Sequence, residues 1–239
     1  ESKVPTPAEL ATHTTDALQL FLNEVGRYSL LTAAEAGPLD ALQRARLQLL
    51  RAQIAFHLTR GRETPGMLLD AARTLAPLDG ALSRETYLQA LEASFHAGRL
   101  ALGRGLLEAA EAARNAPPPP TPPRPVDLML DGLVTRFTLG YEASVPTLQR
   151  ALASLRDDDS DTDNDNGCWV WLACHVAAML WDDETIYLLA DRAVRLARET
   201  GALATLPAAL NALALILVIT GELARASELF AEEDAITRA

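Results

Sequence analysis

The sequence is poor in lysine, cysteine, aromatic residues and net positive charge, and each shortage removes a class of protein. Lys3 is the only lysine beside 20 arginines. Helix propensity does not explain that skew, because the two side chains are near-equal helix formers; it reads as the codon bias of a GC-rich genome. Two cysteines in 239 residues, Cys168 and Cys174, exclude a disulfide scaffold and suit a reducing cytoplasm. Lys plus Arg number 21 against 32 Asp plus Glu, a net charge of -11. A phosphate-binding surface needs the opposite balance, so direct nucleic-acid binding is not expected. Catalytic signatures are missing as well. The sequence contains no G-x-x-x-x-G-K-[ST] run to cradle phosphates, no G-x-S-x-G and no H-E-x-x-H. The four histidines, His13, His57, His96 and His175, are scattered and suggest no acid–base pair. No enzyme and no cofactor are expected. Nor does a secretory signal pattern open the chain.

Alanine and leucine are abundant. There are 43 of each, over a third of the chain, the composition of helices. Hydrophobic residues make up 49%, enough to bury a sizeable core. Leu203 to Ile219 approaches the length of a membrane span, but it holds Thr205, Pro207 and Asn211 and much alanine. A buried helix of a soluble protein is the expectation, with no membrane partner.

Two biased segments interrupt this pattern. Residues 117–125 (PPPPTPPRP) hold seven of the 14 prolines, which suits a stiff connector between helices. Residues 157–167 (DDDSDTDNDNG) carry six of the carboxylates and read as a solvated acidic loop. Asp161, Asp163 and Asp165 alternate as in an EF-hand, but that loop needs Gly at its sixth position and Glu at its twelfth. Counting from Asp161, those positions are Asn166 and Leu172, so calcium is not expected. Cys168, Cys174 and His175 do not make a metal site either: two sulfurs six residues apart on a helix point to different faces, and no second pair completes four ligands.

Apolar spacing predicts helices over 39–60, 65–78, 83–97, 100–115, 126–139, 144–155, 169–181, 184–200, 206–220 and 222–237. Gly61, Gly98, Gly140 and Gly221 each follow a predicted helix, where a left-handed residue lets the chain reverse. The first helices of the last four pairs begin near 83, 126, 169 and 206, in steps of 43, 43 and 37 residues. That is the period of a helical-hairpin solenoid. The fold class is therefore all-α, about ten helices in a solenoid over 37–239, preceded by an extra helical segment over 1–36.

The last pair resembles a tetratricopeptide repeat: with Gly221 as the inter-helix glycine, Leu213, Ala226 and Phe230 fall on the repeat's leucine, small and aromatic positions. In such repeats the first helix of each pair lines a concave surface. Using the glycines as anchors, with Trp181 as the turn of the fourth pair, the resemblance implies a groove of Glu92, Phe95, His96, Phe137, Trp171, His175 and Asn211. Rings supply buried area and His, Glu and Asn fix orientation, which suits a protein, peptide or small-molecule effector. The alternative is that these rings fill the core between helices.

Runs such as GPLDALQRARLQLLRAQIAF, PPRPVDLMLDGLVTRFTLGY and WDDETIYLLADRAVRLARETGAL resemble the helical-repeat arm of actinobacterial LuxR-type regulators that carry an ATPase domain. The resemblance implies a sensor module of a cytoplasmic transcriptional regulator; neither an ATPase motif nor a helix-turn-helix is in the sequence. Residues 16–35, DALQLFLNEVGRYSLLTAAE, resemble region 1.2 of sigma-70 family factors through Phe21-Leu22, Glu24-Val25-Gly26 and Leu30-Leu31-Thr32. Leu18, Phe21, Leu22 and Val25 share one helical face, and Thr32 with Glu35 forms a capping box. Gly37-Pro38 stops the helix that this box would start. This second resemblance implies RNA polymerase as a partner through 16–35; the physical alternative is a helix that caps the solenoid.

Overall fold

The computed structural model describes residues 39–59, 63–97, 105–157, 169–202 and 205–238. Among them the chain forms ten α-helices and no strand: α1 Ala41–Thr59, α2 Thr64–Leu75, α3 Gly80–Ala97, α4 Leu106–Ala113, α5 Pro125–Thr138, α6 Tyr141–Asp157, α7 Val170–Met179, α8 Asp183–Thr200, α9 Leu206–Thr220 and α10 Leu223–Arg238. The sigma-like segment 16–35, the three alternating aspartates, Cys168, Gly61 and Gly98 lie outside the described residues.

Local chemistry accounts for the helix ends. Gly140 and Gly221 hold the left-handed backbone expected of them, at φ +107° and +89°. After α9 the Glu222 N–H donates to the Leu217 carbonyl at 2.8 Å, satisfying an acceptor that the helix leaves open. Gly201 does the same after α8 at φ +67°. The corresponding place after α7 is Trp181, itself left-handed at φ +58°, with the Asp182 N–H donating to the Ala177 carbonyl at 3.0 Å. Helix α3 starts three residues before the predicted 83, because the Asp79 carboxylate accepts from the Leu82 N–H at 3.1 Å and caps it there. Helix α6 likewise begins at Tyr141, straight after the Gly140 turn, so that Pro146 falls inside it.

Consecutive helices pack as hairpins, α1/α2, α3/α4, α5/α6, α7/α8 and α9/α10, and the hairpins pack on one another, the arrangement of an all-α helical-repeat solenoid. First helices also lie side by side, α3 with α5 and α7 with α9. At the step from the third pair to the fourth, the second helices make the link: Arg192 of α8 donates to the Leu155 and Arg156 carbonyls of α6, each at 3.1 Å. Its cation also sits where the α6 dipole is negative.

Alanine brings the helices close. Ala71, Ala72, Ala90, Ala110, Ala151, Ala173, Ala177 and Ala214 are fully buried among Leu68, Leu88, Leu133, Leu148 and Leu172. Gly132 of α5 takes this furthest: a Cβ there would stand 2.3 Å from Leu148 Cδ2 of α6. The apolar α9 buries Leu206, Leu210, Leu213, Ala214, Ile216 and Leu217 against α8 and α10. Among the described residues no helix is long and apolar enough to cross a membrane. The proline-rich segment joins α4 to α5, and those two helices pack together, so it spans a turn of the array.

Candidate ligand-binding inner face

Rings from four first helices meet on one side of the solenoid. Phe56 of α1 stands edge-on to His96 of α3, with ring centres 5.4 Å apart. Phe95 of α3 stands edge-on to Phe137 of α5 at 5.7 Å. Trp171 of α7 stacks on His96 at 4.0 Å and lies 3.8 Å from His175 one turn along its own helix. His175 is also 6.5 Å from Phe95. Each aromatic pair adds about 0.5–1.5 kcal/mol beyond the area it buries. Trp171 and His175 thus bring α7 against α3, two pairs apart.

The two histidines are oriented by their own helices. Each Nδ1 donates to the carbonyl four residues back, His96 to Glu92 at 3.0 Å and His175 to Trp171 at 2.9 Å. A carbonyl only accepts, so the proton is on Nδ1, and in the neutral ring Nε2 carries the lone pair. Phe56, Phe95, Phe137 and Trp171 are half-buried and packed on the core, while His175 is exposed. The rings thus rest on the core and keep one side open. Beside them, the Arg136 guanidinium lies over the Phe137 ring at 5.8 Å and the Tyr141 ring at 5.4 Å. Its buried Nε has no hydrogen-bond partner.

Of the seven residues read from the sequence as a groove, Phe95, His96, Phe137, Trp171 and His175 come together. Glu92 is half-buried one turn before His96. Asn211 is engaged elsewhere: its amide nitrogen donates to Glu233 of α10 at 3.4 Å, bracing the last hairpin. Phe56 belongs to the cluster as well, and its place there is not legible in the sequence. The 43-residue spacing starts at residue 83, so α1 had no register from which its inner face could be counted.

A buried charge network ties the second pair to the third. Arg84 and Asp127 are 3% and 1% exposed; Arg84 Nε donates to Asp127 Oδ1 at 2.6 Å, and Nη2 donates to Asp131 Oδ1 at 2.5 Å. Its Nη1 donates to the Pro117 carbonyl at 2.8 Å, which fixes the start of the proline-rich segment to α3. Asp127 also accepts from Arg124 Nε at 2.9 Å and from the Arg124 N–H at 3.2 Å, and Arg124 pairs with Glu85. Burial alone would raise the Asp127 pKa, but the hydrogen bonds from Arg124 and Arg84 outweigh it and hold the carboxyl below its ordinary value. Donating to the Asp127 carboxylate in turn raises the Arg124 pKa. The only sequence sign of this network was that residues 84 and 127 stand one 43-residue period apart.

Cys174 is buried and its thiol is pushed up to about 12 by desolvation, which leaves it inert as a nucleophile. Among the described residues no three His, Cys, Asp or Glu side chains are placed to hold a metal ion.

Residues 16–35 match a family model described as Sigma-70 factor, region 1.2. The match covers only that segment. No curated protein and no solved structure matches the chain.

Proposed function

We propose that this chain is a non-catalytic, tetratricopeptide-like interaction or sensor module of a bacterial, cytoplasmic transcriptional regulator of the LuxR type, which takes a protein, peptide or small-molecule effector on its inner face. The observation that carries this reading is the cluster of Phe56, Phe95, His96, Phe137, Trp171 and His175, drawn from four separate first helices. Half-open rings offer large contact area at little entropic cost, and the exposed His175 ring offers a directional polar group. A ligand bridging several first helices would also sense the curvature of the array. The test is a thermal-shift screen of peptides and small effectors: a ligand at 100 times its Kd adds about 2.7 kcal/mol of stability. Trp171→Ala and His175→Ala should lose that shift with helical circular dichroism retained. Hits that shift both variants as much as the unsubstituted chain would overturn the reading.

A second reading has its own support in the match of residues 16–35 to sigma region 1.2: the chain contacts RNA polymerase through that segment. Retention of the chain by immobilised core polymerase, lost on Phe21→Asp, is the result this reading requires. Equal retention of the variant would rule it out.

A further inference from the structure

Arginines that reach from one helix to another in this fold find an acceptor there: Arg84 at Asp127, Arg124 at Glu85, Arg192 at the Leu155 carbonyl and Arg198 at Glu232. Arg136 of α5 does not. It is half-buried, its Nε is shut off from solvent without a hydrogen-bond partner, and among the described residues its guanidinium enters no ion pair. Carboxylates are not scarce in a chain with 32 Asp plus Glu against 21 Lys plus Arg. A half-buried cation left uncompensated in such a chain calls for an explanation.

Two rings hold the cation in place, with the guanidinium carbon 5.8 Å from the centre of the Phe137 ring and 5.4 Å from that of Tyr141. A ring face attracts a cation, but it does not cancel the charge, and the planar fork of N–H donors keeps its demand for an acceptor. The Phe137 ring under the guanidinium stands edge-on to Phe95 at 5.7 Å. Beyond Phe95 come His175 and then Trp171. Arg136 therefore borders the ring cluster, one aromatic contact away from its middle.

We propose that the effector of the inner face is a small aromatic carboxylic acid, its ring packed against Phe95, Phe137 and Trp171 and its carboxylate on the Arg136 guanidinium. The proposal rests on the inner-face reading and adds the charge and shape of the ligand. A planar carboxylate matches the guanidinium fork with two parallel hydrogen bonds. One guanidinium balances one negative charge, which favours a carboxylate over a phosphate: phosphate recognition gathers clusters of arginines, and the net charge of -11 opposes a second charge on the ligand. The surrounding rings offer edges and faces to an aromatic body. Because the cation is compensated only when the acid is bound, an analogue without the charge should be rejected.

Isothermal titration of the full chain with benzoate, phenylacetate and 2-naphthoate, each against its neutral amide, tests it. At least one acid should bind, about tenfold or more tighter than its amide, the discrimination expected of a charge-assisted hydrogen bond. Arg136→Gln should bring that acid and its amide to equal affinity, with helical circular dichroism retained, and Trp171→Ala should weaken both. Should Arg136→Gln lose the amide as well, Arg136→Lys, which keeps the charge, decides: a retained preference for the acid supports the proposal, and equal affinities overturn it. Acid and amide bound equally by the unsubstituted chain, a preference that survives Arg136→Gln, or no binding by any of the three acids would each overturn the proposal and leave the inner-face reading standing. Acid binding that Trp171→Ala leaves unchanged would overturn the inner-face reading itself, and the proposal with it.

Discussion

Trp181 occupies a left-handed backbone position where glycine is the ordinary residue, and its ring is 88% exposed. A non-glycine residue in that conformation costs about 1–2 kcal/mol, and a ring so exposed recovers little by packing. Trp181→Gly is therefore expected to stabilise the fold by about 1 kcal/mol, read as a rise in Tm. Asp127 is the opposite case, a carboxylate whose environment depends on its charge. Removing one partner of a buried, hydrogen-bonded pair costs about 3–5 kcal/mol, because the other charge is left uncompensated. Asp127→Ala should lower stability by that order in denaturant titrations at neutral pH. Since the folded pKa of Asp127 is depressed, its contribution is present above the unfolded value of about 3.9 and is lost as pH falls through the folded value. The variant should show a shallower loss of stability across that acid range, and an unchanged acid profile would contradict this account of the network.

At the scale of elements, the α5/α6 hairpin depends on a missing side chain. Gly132 lets α5 approach until Leu148 fills the space a Cβ would take. In an exposed helix Gly→Ala would gain about 1 kcal/mol of propensity. Here the clash opposes it, since overpacking a core costs about 1–3 kcal/mol and Leu148 is fully buried. Gly132→Ala should thus lower Tm. Combined with Leu148→Ala, which opens the space, its added cost should shrink or reverse, giving clear non-additivity in a double-mutant cycle. The helices themselves are legible in the sequence: their periodicity is local, and the predicted spans agree with the observed ones to within a few residues wherever both ends are described, the predicted start at 100 lying outside the described residues. The misplaced starts of α3 and α6 have local causes too, Asp79 acting as a cap and Pro146 tolerated inside a helix.

For the whole molecule, the step between the third and fourth pairs is the weak joint. It is held by the Arg192 hydrogen bonds to α6 and by the ring contacts of Trp171 and His175 with α3, and α6 packs less extensively on α7 and α8 than helices do at the other steps. In a quasi-one-dimensional array, cooperativity fails first where neighbouring units couple least. The three tryptophans, Trp169, Trp171 and Trp181, all report on the fourth pair, whereas far-ultraviolet circular dichroism reports on every helix. Urea unfolding followed by the two signals should give separate midpoints, with the gap widened by His96→Ala; coincident transitions would show that the joint couples fully.

Sequence alone determined the helices, the hairpin period and the turns at Gly140 and Gly221, because helix propensity, apolar period and left-handed glycine are properties of a few adjacent residues; the five rings were placed only by the resemblance to a tetratricopeptide repeat. Tertiary structure decided that His96 reaches Trp171 two pairs away, that Phe56 joins them while Asn211 turns to Glu233, and that Arg84 finds Asp127. Those outcomes depend on the rotation from one hairpin to the next, which is set by how closely alanines and Gly132 let the helices pack. Such rotations add up along the array, so no local stretch of sequence contains their sum.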